Sequence, residues 1–551
     1  MTQGTIAREG TGTDGPGLHR RLGRVGLLFA SVGAIIGSGW LFGALNAART
    51  AGPAAIISWA LGGIIIMFLG LCFAELGTMF PIAGGVVRFP HIAFGSFAGY
   101  VTGWVTWVAA MAVAPIEVEG ALQYATRYFA FTRTESVNGT TVHVLTGAGL
   151  VTAIVLMAVF VVVNYLGITW FQRINNVLVG WKLAMIVLVI AAFGVAAFHP
   201  SNFTATQSGF FANGWTGVFS AIATSGIVFS YLGFRQGIEL AGETDNPKRN
   251  VPFAVIGSVM VTMLLYVLLQ VVFIGAIPHS LIPAHWADLN FTNDFGPLAA
   301  MSSILGLTWL EVLLYIDAVA SPADTGLIYT TASARIAFAM GRAGAAPRAL
   351  TRTSRRGAPV VSLILTFVIG LILFLRFPSW QQMVGFVSSA TVLSFGSGPL
   401  AVFSLRRQVP DYSRPFRVRG LAVISFLGFL ASNLIVFWTG WDTNWKLFLA
   451  VLLGLVLLGV QMTTRPHLRD EVLRTFRHGA WVLPWLAGLA LVSWLDARHV
   501  STPLLYLLTL ALSAGVYWMA FALRLPPEEV LINIEAAREE SLVEEEVFEK
   551  A

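Results

Sequence analysis

Ionisable and glycine-rich residues set inside apolar runs are where this chain has chemistry to offer. Gly33-Ala-Ile-Ile-Gly-Ser-Gly-Trp-Leu-Phe-Gly43 interrupts one such run, with Gly33, Gly37 and Gly39 near its centre. Glycine disfavours helix, and each amide freed in hydrocarbon needs a partner, so a break there is tolerated only where it lines a cavity. A half-helix restarting near Ser38 and Gly39 presents unpaired N–H groups and a positive dipole end to a carboxylate. Carbonyls ending the first half, near Ala34 and Ile35, face an ammonium. One unwound turn therefore suits a zwitterion. The plainer reading is close helix packing through a GxxxG-like cluster. The anomaly recurs at Ser225-Gly226-Ile-Val-Phe229-Ser230-Tyr231-Leu232-Gly233-Phe234-Arg235. Two interrupted segments five spans apart are the pattern of an inverted-repeat transporter with its substrate site between them.

Six further positions stand out. Lys182, in Asn176-Val-Leu-Val-Gly-Trp-Lys182-Leu-Ala-Met-Ile, is the only lysine well inside a span. An ammonium at that depth costs about 2.5 to 3.5 kcal/mol on insertion scales, which makes it a candidate for proton exchange, although lysine can also snorkel to the inner surface. Asp317 and Asp324 flank Ser321-Pro322 and precede Thr325, Tyr329 and Thr330. Intramembrane carboxylates are functional candidates, and Asp317 has the alternative of capping the residues before Pro322. Glu117 and Glu119 follow Pro115 near the end of a span; two positions apart on a helix they point in different directions, so at most one faces a central cavity. Solvated rim carboxylates are the expected reading for that pair. Glu75 is expected to meet the inner interface, with a gate ion pair as the alternative.

The elements that must position these residues follow from composition. Of 551 residues, 56% are hydrophobic and 11% charged, and apolar runs of about twenty residues recur throughout, as in an all-α polytopic membrane protein. We read fourteen spans, at 24–48, 53–80, 92–120, 147–168, 174–198, 212–241, 251–276, 300–333, 359–376, 381–404, 421–441, 445–464, 480–496 and 503–523. With the N-terminus inside, inner loops and tails carry 25 Lys or Arg and outer loops six, the asymmetry of the positive-inside rule. It places both termini in the cytoplasm and gives the net charge of +6 a membrane origin rather than a nucleic-acid one. Residues 1–23 are expected to form a polar tail without a cleavable signal, and Pro526 to Ala551, rich in Glu, a solvated helix or a disordered tail. The single cysteine, Cys72, excludes an intramolecular disulfide and any Cys cluster. Pro81 and Gly84-Gly85 after the second span force a tight, re-entrant inner turn.

The Gly-Ser-Gly break, Ala74-Glu75-Leu76-Gly77 with Phe80-Pro81 and Ala83-Gly84-Gly85, Gly233-Phe234 followed by Asn246-Pro247-Lys248-Arg249 and Pro252, and the Arg335…Pro347 and Arg414-Pro415-Phe416 loops resemble the amino acid–polyamine–organocation (APC) permease superfamily over roughly residues 20–440. The resemblance implies a LeuT-like fold of two inverted five-helix repeats with broken helices 1 and 6. It divides the chain into a transport core at 24–404, four further helices at 421–523 and an acidic tail at 524–551. It implies that a substrate carboxylate binds amides matching Ile36, Gly37, Ser38 and Gly39, that the amino group meets carbonyls matching Ile35, Phe229 and Leu232 beside Ser230, and that Lys182 occupies the proton-coupling position of the fifth span. Two residues depart from the family pattern: Arg235 stands where Glu is usual, and Val87 replaces an aromatic. Arg235 can receive a side-chain carboxylate, favouring aspartate or glutamate, or pair with Glu243 or Glu75.

The expectation is a proton-coupled L-amino acid symporter of the cell inner (plasma) membrane, not an enzyme. Its partners are a small-molecule amino acid, protons and lipid, with no cofactor, no metal and no nucleic acid. The rivals are an exchanger without proton coupling and an amino acid sensor.

Overall fold

The computed structural model describes residues 22–549 apart from 83, 138–139, 167–170, 208, 292–294, 343–345 and 355–356. Residues 1–21 of the expected tail, Ala83 of the turn motif, and Arg355 and Arg356 lie outside the described residues. Twenty α-helices follow. The first apolar run is not one helix: α1 (Arg24–Ile35) stops, residues 36–38 are non-helical, and α2 (Gly39–Ala51) restarts. Next come α3 (Ala55–Met79), α4 (Gly85–Phe94) and α5 (Ser96–Ala125). Gly84 and Gly95, both at positive φ, set α4 off from its neighbours as a short helix where the tight turn is expected. A β-hairpin, β1 (Thr132–Val137) and β2 (Thr140–Leu145), leads into α6 (Gly147–Leu166) and α7 (Phe171–Ala196). The second broken run gives α8 (Gly214–Thr224), a 3-10 segment over Phe229–Arg235 and α9 (Gln236–Glu239), bent by 49°. Then follow α10 (Pro247–Ala276), α11 (Pro297–Ile304), α12 (Thr308–Arg342), α13 (Val360–Arg376) and α14 (Trp380–Gln408). The last six are α15 (Leu421–Thr439), α16 (Trp441–Thr464), α17 (Pro466–Gly479), α18 (Val482–Asp496), α19 (Thr502–Ala522) and α20 (Pro527–Glu549).

Among the described residues nine helices are long and apolar enough to cross a membrane, or eleven when two bent pairs each count as one span. Breaks and intramembrane charge lower the number below fourteen: α1 has 12 residues and α13 has 17, while α12 carries Glu311, Asp317, Asp324 and Arg335 within its length. The bundle is a multi-pass membrane protein in which α5 and α14 are almost wholly enclosed and α6, α7, α16 and α19 turn apolar side chains outward, as lipid-facing helices do.

Buried polar groups tie the inner helices together, because in hydrocarbon each must find a partner. Trp59 Nε1 donates to Gln270 Oε1 (2.8 Å), and Gln270 Nε2 donates to the Ala44 carbonyl (3.2 Å), joining α2, α3 and α10. At the opposite end Glu75, wholly buried, accepts two bonds from Arg406 (2.8 and 2.6 Å) and one from the Val418 amide. The interface expectation for Glu75 is thus corrected: it is a buried partner of a bidentate ion pair.

Two further departures concern the ends of the molecule. The hairpin is the one sheet among the described residues, and the Leu145 amide at its end donates to the Pro378 carbonyl (2.9 Å), immediately before α14. The C-terminal segment is not solvated throughout: Arg88 on α4 contacts the Ala537 carbonyl (2.9 Å) and Glu540 (3.1 Å), and Asn533 contacts the His91 carbonyl (3.3 Å). Alternation of Val530, Ile534 and Ala537 with acids gives α20 an apolar face that buries against the bundle, as helical spacing allows.

Candidate functional site

The two breaks face each other at the centre of the bundle. Gly233 packs so closely on the main chain of Ala34 and Ile35 that a methyl group there would overlap both; only glycine permits this approach. Beside them lies a small hollow of about 10 Å³, room for about one water molecule, lined by Ala34, Ile35, Ala109, Val113, Glu117, Phe229, Leu232, Arg235, Thr325, Tyr329 and Thr391. Of the expected binding residues, Ile35, Phe229, Leu232 and Arg235 line it. Ile36, Gly37, Ser38, Gly39 and Ser230 sit just behind, all buried. The Ile35 carbonyl already accepts the Gly37 amide (3.2 Å).

The Ser38 amide is already occupied by an acid from another helix. Glu117 on α5 accepts it through Oε2 (2.7 Å), while Oε1 is buried without a hydrogen-bond partner. Gly37 makes room: a methyl group on it would collide with the Glu117 carboxyl. The rim reading of this pair is therefore overturned. Glu117 is 1% and Glu119 2% exposed, and neither oxygen of Glu119 has a hydrogen-bond partner. Pro115 and the turn of α5 carry both acids inside the bundle, and on a helix packed by neighbours on all sides position along the chain does not mean solvent. The two do point apart, with Glu117 at the hollow.

Lys182 does not snorkel. Its ammonium is fully buried and donates to the Gly33 carbonyl (3.0 Å) and Thr325 Oγ1 (3.2 Å), with Asp324 Oδ2 at 2.7 Å. Thr325 passes the contact on, donating to the Ile36 carbonyl (3.2 Å). One lysine on α7 therefore grips the last turn of α1 and, through α12, the break itself. Removing an N–H partner from a buried charge of this kind is costly, which is why such a cation survives only with several acceptors. Asp317 takes a different place: Oδ1 accepts from Trp181 Nε1 (2.9 Å) and Ser321 Oγ (2.7 Å). It orients the neighbour of Lys182 and steadies the turn before Pro322.

Arg235 is 1% exposed and reaches neither of its expected partners. Glu243 lies 3.7 Å from Arg335, and Glu75 is engaged by Arg406. Instead Nη2 lies 3.0 Å from Glu239, one turn on, without hydrogen-bond alignment, and Nε is buried with no partner. The guanidinium stands 5.7 Å from the Tyr329 ring centre. An i,i+4 spacing is legible in sequence, so Glu239 was a findable partner.

Trp380 escaped sequence reasoning, since nothing local distinguishes it among 17 tryptophans. Wholly buried at the start of α14, it donates from Nε1 to Ser38 Oγ (2.8 Å) and packs its ring on Phe42 (4.8 Å) and Phe229 (6.1 Å). It thus bridges the two breaks at the hairpin end of the hollow.

A model of the amino acid permease family matches residues 22–458. The chain is similar to the glutamate/serine transporter AimA of Bacillus subtilis, 37% identical over 87% of this chain and 88% of the relative. It is also similar to the aspartate-proton symporter of the same organism, 34% identical over 84% and 86% of the two chains. A branched-chain amino acid permease, BcaP of Bacillus subtilis, is 27% identical over 80% and 92%.

Proposed function

The chain belongs to the amino acid permease family, and from that premise we propose that it imports an L-amino acid across the plasma membrane by proton symport, with aspartate or glutamate favoured. The observation that carries this reading is the buried relay from Lys182 through Gly33 and Thr325 to the first break. Two relatives whose names specify glutamate and serine, and aspartate with protons, support it. We read the core as two inverted five-helix repeats at 24–404 with four helices added at 421–523, and both termini as cytoplasmic; the facing breaks and the basic-residue asymmetry support this.

The mechanism follows from which groups are left unsatisfied. An entering α-carboxylate competes with Glu117 for the Ser38 amide, and the displaced carboxyl, buried among apolar neighbours, is far cheaper to hold neutral than charged. Glu117 therefore takes up a proton as substrate arrives. The ammonium meets carbonyls at Ile35, Phe229 and Leu232, with Ser230 behind them. A side-chain carboxylate docks on the free edge of Arg235, a charge-assisted bond of the strong kind. Protonated Lys182 holds α1, α7 and α12 in one arrangement; loss of its proton releases the grip and lets the breaks reopen on the other side. A proton crossing about 100 mV carries about 2.3 kcal/mol, roughly fiftyfold accumulation of a neutral substrate. With a monoanion the one-proton cycle is electroneutral and the pH gradient alone drives it.

The full pairing of Lys182 with Asp324 favours a second reading, amino acid exchange without a proton. Purified protein in liposomes, tested against twenty amino acids with and without a pH gradient, separates the two. Uptake of aspartate or glutamate that collapses when the gradient is abolished supports symport. Counterflow indifferent to the gradient supports exchange.

A further inference from the structure

We propose that the molecule carries a binding site for the phosphate of an anionic glycerophospholipid in a cleft at the end opposite the hairpin, where α14, α17 and α19 terminate. Arg407, Gln408, His478 and Arg524 line the cleft, and none of its lining residues is acidic. Arg407 is exposed and, among the described residues, has no hydrogen bond or ion pair. Arg524 spends one N–H on the Phe521 carbonyl (2.5 Å) and lays its guanidinium on the Phe521 ring (4.2 Å), which fixes the charge at the cleft. His478 holds a third cation close by, accepting from Arg477 Nε (2.9 Å) while its Nδ1 lies 2.6 Å from the Leu523 carbonyl. Converging guanidiniums without a carboxylate partner are a phosphate site by geometry and charge.

Two observations give the ligand its remaining parts. Gln408, 2% exposed, donates from Nε2 to the Ala93 and Leu525 carbonyls (2.8 and 2.9 Å), so the amide orientation is fixed and its orphan Oε1 requires a donor. A headgroup hydroxyl supplies one. Leu473 and Phe476 on α17 are 58% and 37% exposed beside the exposed Arg474 and Arg477. A helix with apolar and basic side chains side by side lies in the interface plane, where acyl chains begin. The end concerned is the one rich in Arg, the leaflet that positive-inside counting assigns to the cytoplasm.

The test uses the full chain in nanodiscs of phosphatidylcholine alone or mixed with phosphatidylglycerol. Thermal unfolding and the lipids retained in native mass spectrometry are the readouts. Wild-type protein is expected to retain phosphatidylglycerol selectively and to unfold at higher temperature in its presence. The double variant Arg407→Gln, Arg524→Gln should bind it roughly twenty-five-fold more weakly, about fivefold for each arginine removed, while Arg133→Gln on the hairpin changes nothing. Equal retention by the double variant overturns the site. Stabilisation of phosphatidylcholine discs by inorganic phosphate or sn-glycerol 3-phosphate, as large as that by phosphatidylglycerol, overturns the lipid and leaves a free-phosphate site. Should the double variant not fold, Arg407→Gln alone must show the fivefold loss; unchanged binding by that exposed residue sinks the proposal.

Discussion

Two cations buried within a few turns of each other, Lys182 and Arg235, are treated in opposite ways. The lysine has two hydrogen-bond acceptors and a carboxylate at 2.7 Å; the arginine has one misaligned carboxylate and a bare Nε. Burial is equal, so the difference lies in satisfaction. A saturated charge holds architecture together, whereas an unsaturated one at a cavity wall is preorganised for something that arrives later. Lysine suits the first task as a compact point charge, and arginine suits the second as a planar fork.

The comparison is broken most severely at Lys182. Lys182→Ala is expected to cut proton-driven uptake at least a hundredfold and to lower stability by about 3 to 5 kcal/mol, because Asp324 is left charged and unpaired. Adding Asp324→Asn should recover stability in thermal unfolding without recovering uptake in liposomes. Recovery of both would reduce Lys182 to a structural ion pair.

Arg235→Met sharpens the other half. Loss of a charge-assisted partner worth about 1.5 to 3 kcal/mol predicts a roughly ten- to hundredfold rise in KM for aspartate and glutamate, with serine or alanine uptake nearly intact. An equal loss for neutral substrates would make Arg235 a structural residue rather than a substrate ligand.

Glu117→Gln probes the acid between them. In the wild type, substrate affinity should weaken as pH rises, since the proton that Glu117 takes on binding becomes scarcer. The glutamine variant binds independently of pH, as isothermal titration between pH 5.5 and 8 would show. A retained pH slope would move the proton to Lys182 alone. The smallest effect is expected at Trp380→Phe, which deletes one hydrogen bond to Ser38, about 1 kcal/mol, and should alter uptake only a few-fold.

Much of this was legible in the chain. Gly37 and Gly39 announce the first break once the second interrupted run at Ser225-Gly226 is set beside them, since close helix packing alone would not require the pair, and Lys182 announces itself as a lone ammonium in hydrocarbon. The rotation of α5 was not legible: Glu117 and Glu119 look like rim residues until the packing of Gly37 against the Glu117 carboxyl fixes which way the helix turns. Arg235 and Glu239 were readable from their spacing, but partners further away in sequence drew attention first. The hairpin was readable too. Asn138-Gly139 between two runs rich in Thr and Val is the strongest short-range hairpin signal, obscured by the helical character of everything around it. Trp380 depends on a contact across some 340 positions, which no local pattern encodes.

The main-chain bond from Leu145 to Pro378 has a mechanical consequence. Two residues later stands the indole that latches both broken runs, so a ribbon at the rim and a latch at the centre share one short lever. Any swing that lifts the ring off Ser38 must either tow the ribbon with it or peel that bond. A ligand gripping the ribbon from outside, such as a small antibody fragment, would therefore brake turnover from a distance without touching the cargo.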